Sequence, residues 1–436
     1  MSTNIRKIAL ELLRSYEEED RYVNLLLNSP KVRGLTKEEN SSLTALLYTA
    51  VEKKLTYDYI ISSFASRPID SFDPYVRDVL RLGLCQIIDM KSVPDFAAVN
   101  ESVKLARHKG ESGFINAVLR RAVKEKESLP FPNRDKNLLR FLSVYYSIPY
   151  DTVKFFASFI PKEELEDLFC AFSSKNGLSV TVNEEKISRD DLISKLSSYG
   201  AKKTEYTYNG IRFEKSISPK ELPGFFEGEF FVQDEASRIA GAILDAKSGE
   251  TVIDVCSAPG GKSLCAAIKV GKEGRVYSFD LHKSKLSLIE ESIERLGLSN
   301  VTVAERDATA PDESLFEKAD KVICDVPCSG FGVFAKKPDL RYKDISTVKE
   351  LPELQYKILT ESSKYLKSGG VLVYSTCTLN PEENEKVTDK FIECNPDFSY
   401  EGIAFGKIQA ESGQLTLLPH KHGTDGFYIA KLRKKQ

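Results

Sequence analysis

Five apolar runs rich in Val and Ile, all in the second half of the chain, constrain the fold more than any other feature of the sequence. They are TVIDVCSA, RVYSFDL, VTVAERD, KVICDVPC and VLVYSTCTL. Helical stretches separate the first three runs, and a loop and then a helix from about Pro352 to Leu366, closed by Gly369-Gly370, separate the last two. Strands that alternate with helices predict a parallel sheet covered on both faces. The terminal LTLLPHKHGTDGFYIAKL predicts an antiparallel pair at the edge of that sheet.

The first 130 residues instead predict a bundle of short helices. Apolar residues between Ile5 and Tyr16 keep a 3.6-residue period, and so do those that follow a capping box formed by Thr36 and Glu39. Short connections between such helices are typical of a helical bundle.

A mixed region separates these two parts. LPFPN breaks the helical pattern, LSVTVN alternates as a strand, Ser188 is a candidate helix cap, and Asn209-Gly210 is a hairpin signal. We therefore predict an all-α domain at 1–130, a small α+β module at 131–224 and an α/β domain at 225–436.

The composition excludes several classes of protein. No run of about 18 apolar residues is present, so a membrane-spanning helix is not expected, and the N-terminus lacks the continuous apolar core of a secretory signal. The eight Cys are expected to be reduced thiols in the cytoplasm. The 62 basic and 64 acidic residues nearly cancel, so any basic surface must be local.

One local basic surface is present at the end of the helical part. Between Lys104 and Lys126, seven Lys or Arg residues stand against two Glu, a local net charge of +5. Two interpretations stay open: a solvated helix face, or a surface that binds a polyanion by releasing its counterions. The candidate contact residues are Lys104, Arg107, Lys109, Arg120, Arg121 and Lys124.

A glycine-rich turn follows the first apolar run. Gly260 and Gly261 allow the backbone to approach a ligand closely at the N-terminus of a helix. The turn lacks the G-x-G-x-x-G pattern of dinucleotide sites, and Cys256 occupies the first glycine position of a P-loop. The sequence therefore predicts a nucleoside site that needs no phosphate cradle.

Acidic residues lie at or near the ends of the first four predicted strands: Asp254, Asp280, Asp307 and Asp325. The carboxyl ends of parallel strands line the ligand crevice of an open α/β sheet. A single aspartate at a strand end is more often a helix cap, but four in succession favour a shared site. Asp280 is placed to accept hydrogen bonds from ribose hydroxyls.

Two cysteines follow the last two strands, Cys328 in DVPCSGFG and Cys377 in YSTCTL. If these strands are neighbours, both thiols reach the same end of the sheet. A disulfide between them is not expected in a reducing compartment, and a zinc site is not expected without a C-x-x-C pair or a His cluster. Buried packing is the alternative interpretation of each cysteine.

Two thiols beside a nucleoside cofactor suggest methylation of cytosine at C5. A thiolate that adds to C6 makes C5 able to take a methyl group from a sulfonium donor, and a base must then remove the C5 proton so that the first thiol can leave. Asp325 is placed to hydrogen-bond or protonate N3 of the ring. The spacing of Cys328 and Cys377 leaves open which is the nucleophile and which is the base.

These motifs, in this order, resemble those of the RNA (cytosine-5) methyltransferases of the RsmB/Sun, Nop2 and NSUN group. Within it, Phe114-Ile-Asn-Ala-Val-Leu-Arg120 resembles the NusB-like RNA-binding domain of the bacterial RsmB/Sun family. Further matching segments are Lys337-Pro-Asp-Leu-Arg341, Leu351-Pro-Glu-Leu-Gln355, Asn380-Pro-Glu-Glu-Asn384 and Asp425-Gly-Phe-Tyr-Ile-Ala-Lys431. The resemblance spans nearly the whole chain and is weakest over about 130–225. It implies a C-terminal Rossmann-like class I methyltransferase domain that uses S-adenosylmethionine to methylate C5 of one cytidine in 16S rRNA.

The resemblance also implies roles for individual residues. Cys377 is implied to be the nucleophile and Cys328 the base of the elimination step, with Asp307 near the adenine of the cofactor. The residues implied to contact the cofactor or its surroundings are Cys256, Ser257, Ala258, Pro259, Gly260, Gly261, Lys262, Asp280, Asp307 and Asp325.

Other functions stay open at this point: the same chemistry on tRNA or 23S rRNA, a non-catalytic NusB-like RNA-binding factor, or a Rossmann dehydrogenase. Intact Gly260, Cys328 and Cys377 argue against the non-catalytic factor, and the missing dinucleotide fingerprint argues against the dehydrogenase. We expect a monomer that binds 16S rRNA and needs no metal.

Overall fold

The computed structural model describes residues 3–19, 22–174, 177–215, 217–310 and 312–436. These residues form two compact units. The first unit comprises the described part of 1–170 together with Lys337–Lys343, and the second comprises the described part of 171–336 together with Asp344–Gln436. The domain boundaries expected at 130 and 224 stay predictions. Within the described residues, no helix combines the length and the apolar character needed to cross a membrane.

The first unit is all-α in its described residues. Its helices are α1 (Thr3–Glu19), α2 (Val23–Leu27), α3 (Lys37–Glu52), α4 (Lys54–Ala65), α5 (Pro74–Ile88), α6 (Asp95–Val103), α7 (Lys109–Lys124), α8 (Leu138–Tyr145), α9 (Tyr150–Phe156) and α10 (Leu165–Phe172), the last of which ends in the second unit. The capping box predicted before α3 is present, since Thr36 Oγ1 accepts from the Glu39 N–H at 3.2 Å and Glu39 Oε2 accepts from the Thr36 N–H at 3.0 Å. Buried leucines such as Leu13, Leu46 and Leu80 form one hydrophobic core between the helices.

One segment from the second half of the sequence belongs to this helical unit. In Lys337–Lys343, the fully buried Arg341 donates to the carbonyl oxygens of Tyr146 at 3.1 Å and Glu52 at 3.4 Å. The Tyr342 hydroxyl donates to the same Glu52 carbonyl at 3.0 Å. The segment therefore satisfies main-chain carbonyl groups of helices that lie far from it in the sequence.

The second unit begins with a small antiparallel sheet of order β2-β3-β1-β4 in its described residues. Its elements are β1 (Ser179–Val182), α11 (Arg189–Lys195), β2 (Lys202–Lys203), β3 (Gly210–Arg212) and β4 (Phe230–Val232). Ser188 caps α11 as predicted, because its hydroxyl accepts from the Asp191 N–H at 3.2 Å. The predicted hairpin is formed by β2 and β3, but its turn spans 204–209 and Gly210 lies in the second strand. The longer turn is closed by the Thr204 hydroxyl, which donates to the Thr207 carbonyl at 3.1 Å.

A large sheet of order β10-β14-β9-β8-β5-β6-β7, with β13 also paired to β14, forms the centre of the second unit. The five predicted runs form its parallel part, β5 to β9, and β10, β13 and β14 pair antiparallel. The elements in chain order are α12 (Glu235–Ile243), β5 (Thr251–Asp254), α13 (Gly261–Val270), β6 (Arg275–Asp280), α14 (Lys283–Leu296), β7 (Val301–Glu305), β8 (Ala319–Asp325), α15 (Leu351–Ser363), β9 (Leu366–Thr376), α16 (Glu385–Cys394), β10 (Phe398–Tyr400), β11 (Ile403–Phe405), β12 (Ile408–Ala410), β13 (Gln414–Leu417), α17 (Pro419–His422) and β14 (Phe427–Lys434).

Helices cover both faces of this sheet because side chains alternate along each strand. Val252 of β5 packs with Ile239 of α12 and Leu264 of α13, whereas its neighbour Ile253 packs with Ile358 of α15 and Phe391 of α16 on the opposite face. The predicted fold class, an all-α part followed by a small α+β module and a Rossmann-like α/β domain, is confirmed.

One prediction about this sheet is wrong. Helix α15 ends at Ser363, and Gly369-Gly370 lie inside β9 rather than closing the helix. The strand is irregular there, since Gly369 has φ of 76° and the pairing with β8 shifts register between Ala319 and Lys321, which is typical of a bulge. The predicted antiparallel pair is present at this side of the sheet, since β13 pairs with β14, which in turn pairs with β9 and, at its C-terminal end, with β10.

Candidate active site

The glycine-rich turn lies at the carboxyl edge of the sheet, where the strand order reverses between β8 and β6. Open α/β sheets bind their ligands at this position. The Ser257 N–H and hydroxyl both donate to the Phe279 carbonyl, at 2.7 and 2.9 Å, and so tie the turn to β6. Gly260 has φ of 105°, which disfavours any side chain, and a Cβ there would lie 3.2 Å from Ile289 Cγ2.

Two of the predicted carboxylates lie at the ends of β6 and β7. Asp280 accepts from the Ala258 N–H at 3.1 Å and from the His282 N–H at 3.0 Å, one bond on each oxygen. Asp307 is exposed, and the backbone and hydroxyl of Thr309 both donate to its Oδ1 at 2.8 Å, which lowers the pKa of Asp307. A carboxylate offers about four acceptor positions, so both groups keep acceptor capacity for a ligand.

Asp254 ends β5 and is buried, and Cys256 follows it at the start of the turn and is half-buried. Burial raises the pKa of Asp254 to about 7, and the hydroxyl of Ser263, which donates to its Oδ2 at 2.6 Å, only partly offsets this. Burial, the Cys324 thiol and the surrounding carboxylates hold the pKa of Cys256 well above its ordinary value. These surroundings disfavour the thiolate form of Cys256.

Lys262, only 5% exposed, links the turn to Asp325 at the end of β8. Its Nζ donates to Asp325 Oδ2 at 2.6 Å and to Ser237 Oγ at 2.9 Å, and it lies 5.1 Å from the centre of the Phe427 ring. The Ser375 hydroxyl donates to the other oxygen of Asp325 at 2.7 Å. Both oxygens of Asp325 are therefore held in place by the protein. Ser237, Ser375 and Phe427 were not predicted, although Phe427 lies in a segment that matched the family.

The two cysteines lie side by side. The Sγ atoms of Cys328 and Cys377 are 3.2 Å apart, and both residues are half-buried. Strands β8 and β9 pair in parallel with Asp325 opposite Ser375, so the two turns that follow leave the sheet together. Gly332 brings them closer still, since its N–H donates to the Cys377 carbonyl at 3.0 Å and a Cβ there would lie 2.0 Å from the Gly426 carbonyl.

The thiol of Cys328 is held in its protonated form. Its hydrogen bond with Cys377, its burial and the negative charges of Cys377 and Glu383 all raise the pKa of Cys328 well above its ordinary value. A hydrogen bond joins the two thiols, and either sulfur can be its donor. Glu383, which acts on this pair, was not among the predicted site residues.

The predicted basic surface of the helical unit is largely neutralised. Arg107 pairs with Glu111 and, at 3.0 Å, with Asp73, and Lys104 pairs with Glu101 at 2.5 Å. Arg121 pairs with Glu125 at 2.9 Å and Arg120 donates to Asn116 Oδ1 at 2.9 Å. Lys109 and Lys124 are exposed and have no ion-pair partner in the described part of the chain. These two lysines, and Arg120 with its neutral partner, are the three of the six best placed to meet a phosphate.

The donor set around the turn fits a nucleoside with a charged tail. Asp280 offers acceptors for ribose hydroxyls, and the next residue, Leu281, exposes 55% of its surface beside it as an apolar contact for a base. The N-terminus of the ten-residue α13 offers positive charge to a carboxylate. The residues present therefore fit a nucleoside cofactor such as S-adenosylmethionine.

Comparison with known proteins accounts for both parts of the chain. The NusB family matches residues 3–124, and the family described as 16S rRNA methyltransferase RsmB/F matches residues 241–433. A protein of Bacillus subtilis named probable ribosomal RNA small subunit methyltransferase B is 37% identical over 99% of each chain. The chain belongs to the ribosomal RNA small subunit methyltransferase B family.

Other members of the methyltransferase B family are similar over the same length. A Synechocystis relative is 34% identical over 98% of this chain and 99% of its own, and one from Citrobacter koseri is 28% identical over 99% of each. The crystal structure of PH0851 has a TM-score of 0.79 at 26% identity and covers 100% of this chain and 99% of that one. A methyltransferase homologue from Pyrococcus horikoshii has a TM-score of 0.60 at 28% identity, covering 68% and 99%. The family predicted from the motifs is confirmed.

Proposed function

We propose that the protein transfers a methyl group from S-adenosylmethionine to C5 of a cytidine in 16S rRNA through a covalent adduct with Cys377. The main support is the 3.2 Å separation of the Cys328 and Cys377 sulfurs beside Asp325. Methylation at C5 needs one nucleophile and one base, and neither a binding factor nor a dehydrogenase needs two such thiols. The names of the relatives support small-subunit rRNA as the substrate.

When bound, S-adenosylmethionine supplies an electrophilic methyl group on its sulfonium. The turn at 256–262 and the N-terminus of α13 are proposed to hold its amino-acid end. Asp280 is proposed to accept from its ribose hydroxyls, and Asp307 to lie near its adenine.

Cys377 acts first in the proposed sequence. Its sulfur forms a bond to C6 of cytosine, and the electron pair of the C5–C6 double bond moves towards C5 and N3. In this proposal Asp325, fixed by Lys262 and Ser375, delivers a proton from solvent to N3, so that no charge accumulates on the ring, and takes that proton back when the adduct breaks. C5 then takes the methyl group.

Cys328 completes the reaction by removing the C5 proton, upon which the C6–S bond breaks and Cys377 leaves as a thiolate. In the resting site the charge and the hydrogen bond of Cys377 raise the pKa of Cys328. Once the Cys377 sulfur is bonded to C6 it has no charge, so both of these causes disappear. Cys328 can therefore lose its thiol proton to solvent more readily, and it acts as the thiolate base at the stage when one is needed.

The helical unit is proposed to supply contacts to the RNA backbone through the basic surface at 104–124. Lys109, Lys124 and Arg120 are the main candidates, because in the described residues only the other three side chains have acidic partners. Counterion release from phosphates favours such unpaired cations.

Two cysteine variants test the chemistry. Cys377→Ala should abolish methyl transfer and leave RNA binding intact, because only the bond to C6 is lost. Cys328→Ala should still allow attack and methyl transfer but should trap the protein on the RNA. Tritium transfer from labelled S-adenosylmethionine and a denaturing gel for a slow, nuclease-sensitive band measure these two outcomes.

An active Cys377→Ala variant, or a Cys328→Ala variant without the slow band, would contradict the assignment of the two thiols. The substrate is tested separately by bisulfite sequencing of RNA from cells with and without the protein. One 5-methylcytidine lost from 16S rRNA is expected. If a 5-methylcytidine is lost only from tRNA or 23S rRNA, the proposed chemistry stands but 16S rRNA is not the substrate.

A further inference from the structure

The segment Asn380-Pro-Glu-Glu-Asn384 has no part in the mechanism above, yet its Glu383 lies between the turns of the two thiols. Glu383 is completely buried. Its Oε2 accepts from the Ser329 N–H at 2.8 Å and from Gln355 Nε2 at 2.9 Å. Its Oε1 accepts from Asn380 Nδ2 at 3.0 Å. The carboxylate thus binds three donors, one of them from the turn of Cys328.

These donors flank Cys328 on both sides. Ser329 follows Cys328 directly, and Gln355 Nε2 also donates to the carbonyl of the preceding residue, Pro327, at 2.9 Å. On the other side, the Ser329 hydroxyl lies 2.7 Å from the hydroxyl of Thr378, which follows Cys377. The turn that holds Cys328 is therefore tied to Glu383 before and after the thiol.

A buried carboxylate is an energetically costly group with which to hold the Cys328 turn by hydrogen bonds. Taking an ion out of water costs several kcal/mol even after relaxation, and Glu383 has no Lys or Arg within ion-pair distance in the described part of the chain. An amide side chain has the same shape and would avoid most of this cost. A buried charge that contacts the turns of both reactive thiols instead points to a role in the chemistry.

We propose that Glu383 is a positioning residue that holds Cys328 against Cys377 for the elimination step. The proposal rests on the proposed function, in which Cys328 is the base. Reacting groups must be held to a fraction of an ångström, and hydrogen bonds from residues behind them usually do this. The negative charge of Glu383 also helps to keep the proton on Cys328 before Cys377 attacks, since it raises the pKa of that thiol.

The decisive variant is Glu383→Gln. Its single oxygen can still accept from Ser329 and Gln355, but its NH2 group then meets the NH2 of Asn380. In the double variant Asn380→Asp/Glu383→Gln the carboxylate and the amide change places. The amide at 383 then donates to the carboxylate at 380, so all three hydrogen bonds can form again. The new carboxylate can also keep accepting from the Glu382 N–H, which now bonds Asn380 Oδ1 at 3.1 Å. Glu382→Gln is the matched control, because the adjacent Glu382 is exposed and pairs with Lys386 at 2.6 Å.

The measurement is the rate at which the protein–RNA adduct forms and breaks down on a 16S rRNA transcript with S-adenosylmethionine. Glu383→Gln should break the adduct about tenfold to a hundredfold more slowly, the range expected when a group is misplaced by about 1 Å, with little change in adduct formation. The double variant should recover most of this loss, and Glu382→Gln should match the wild type. Thermal unfolding and KM for the cofactor should change little in all three.

Breakdown at the wild-type rate in Glu383→Gln would overturn the proposal, and so would equal losses in formation and breakdown, which indicate a purely structural role. If Glu383→Gln does not fold, Gln355→Leu removes one donor and leaves the charge; it should slow breakdown by a smaller factor, and a wild-type rate would again overturn the proposal. Cys328→Ala separates the two proposals. Without an adduct in that variant the proposed function fails, whereas an adduct there and normal breakdown in Glu383→Gln contradict only the role of Glu383.

Discussion

Asp254 makes the folding stability of the second unit depend on pH in an unusual direction. Most acidic side chains stabilise a fold when ionised, but burial raises the pKa of Asp254 from an ordinary value of 3.8 to about 7. The folded state therefore binds this proton more tightly than the unfolded chain does. The stabilisation is complete below about pH 4 and is lost as pH rises to about 7. The full difference corresponds to about 4 kcal/mol, to an order of magnitude.

The variant Asp254→Asn removes this titration and keeps an oxygen that can accept from the Ser263 hydroxyl. Between pH 5 and pH 8 the wild type should lose about 2–3 kcal/mol more free energy of unfolding than the variant. Urea unfolding at each pH, followed by hydrogen exchange of peptides from β5 and β8, reports on the second unit by itself. Every other titrating group is common to both proteins and cancels in the comparison. Stability curves that run parallel from pH 5 to pH 8 would refute the assignment of a raised pKa to Asp254.

Three further predictions test the site and the basic surface. Lys262→Met leaves Asp325 without its cation, so it should destabilise the second unit by at most about 3 kcal/mol in urea unfolding and abolish methyl transfer. The double variant Lys262→Met/Asp325→Asn should recover the stability but not the activity. Gly260→Ala should cost about 1–2 kcal/mol because of its positive φ and weaken cofactor binding in calorimetry; Gly249→Ala, also at positive φ but with open space around it, should lower stability alone. Lys109→Ala/Lys124→Ala should lower the salt slope of RNA binding by about 1.4–1.8 in filter binding, whereas Arg107→Ala should change it little; equal slopes in all three proteins would exclude the two lysines.

The parallel part of the sheet could be predicted because each of its strands is a local signal, an apolar run that ends in an aspartate. The ends of the elements could not, because they depend on pairing. Gly369-Gly370 is a normal sequence for the end of a helix, and only the register shift against Ala319 places it in a bulge of β9. Strand β14 likewise follows a hairpin signal, but its position between β9 and β10 is decided by long-range contacts.

The site could be predicted only where chemistry and position coincide in one motif. The strand-end aspartates, the glycine turn and the two cysteines have that property, and the structure places Cys328 and Cys377 in contact. The count of charges over 104–126 does not combine chemistry with position in this way. The local charge of +5 already subtracts Glu111 and Glu125, but it omits Asp73 and Glu101, which lie outside the counted segment and pair with Arg107 and Lys104.

The different environments of Glu382 and Glu383 could not be predicted from the sequence. The two residues are identical in type and adjacent in sequence, yet Glu382 is exposed and pairs with Lys386 one helical turn ahead, while Glu383 is buried against the turn of Cys328. What separates them is the turn after β9, in which the Tyr374 hydroxyl donates to the Glu383 carbonyl at 2.6 Å and Asn380 binds the Glu383 side chain. Tyr374 lies on β9 itself, so the same strand that ends in Cys377 also directs Glu383 inward. The placement of Cys377, the proposed nucleophile, and that of the charge beside Cys328, the proposed base, therefore have a common structural origin.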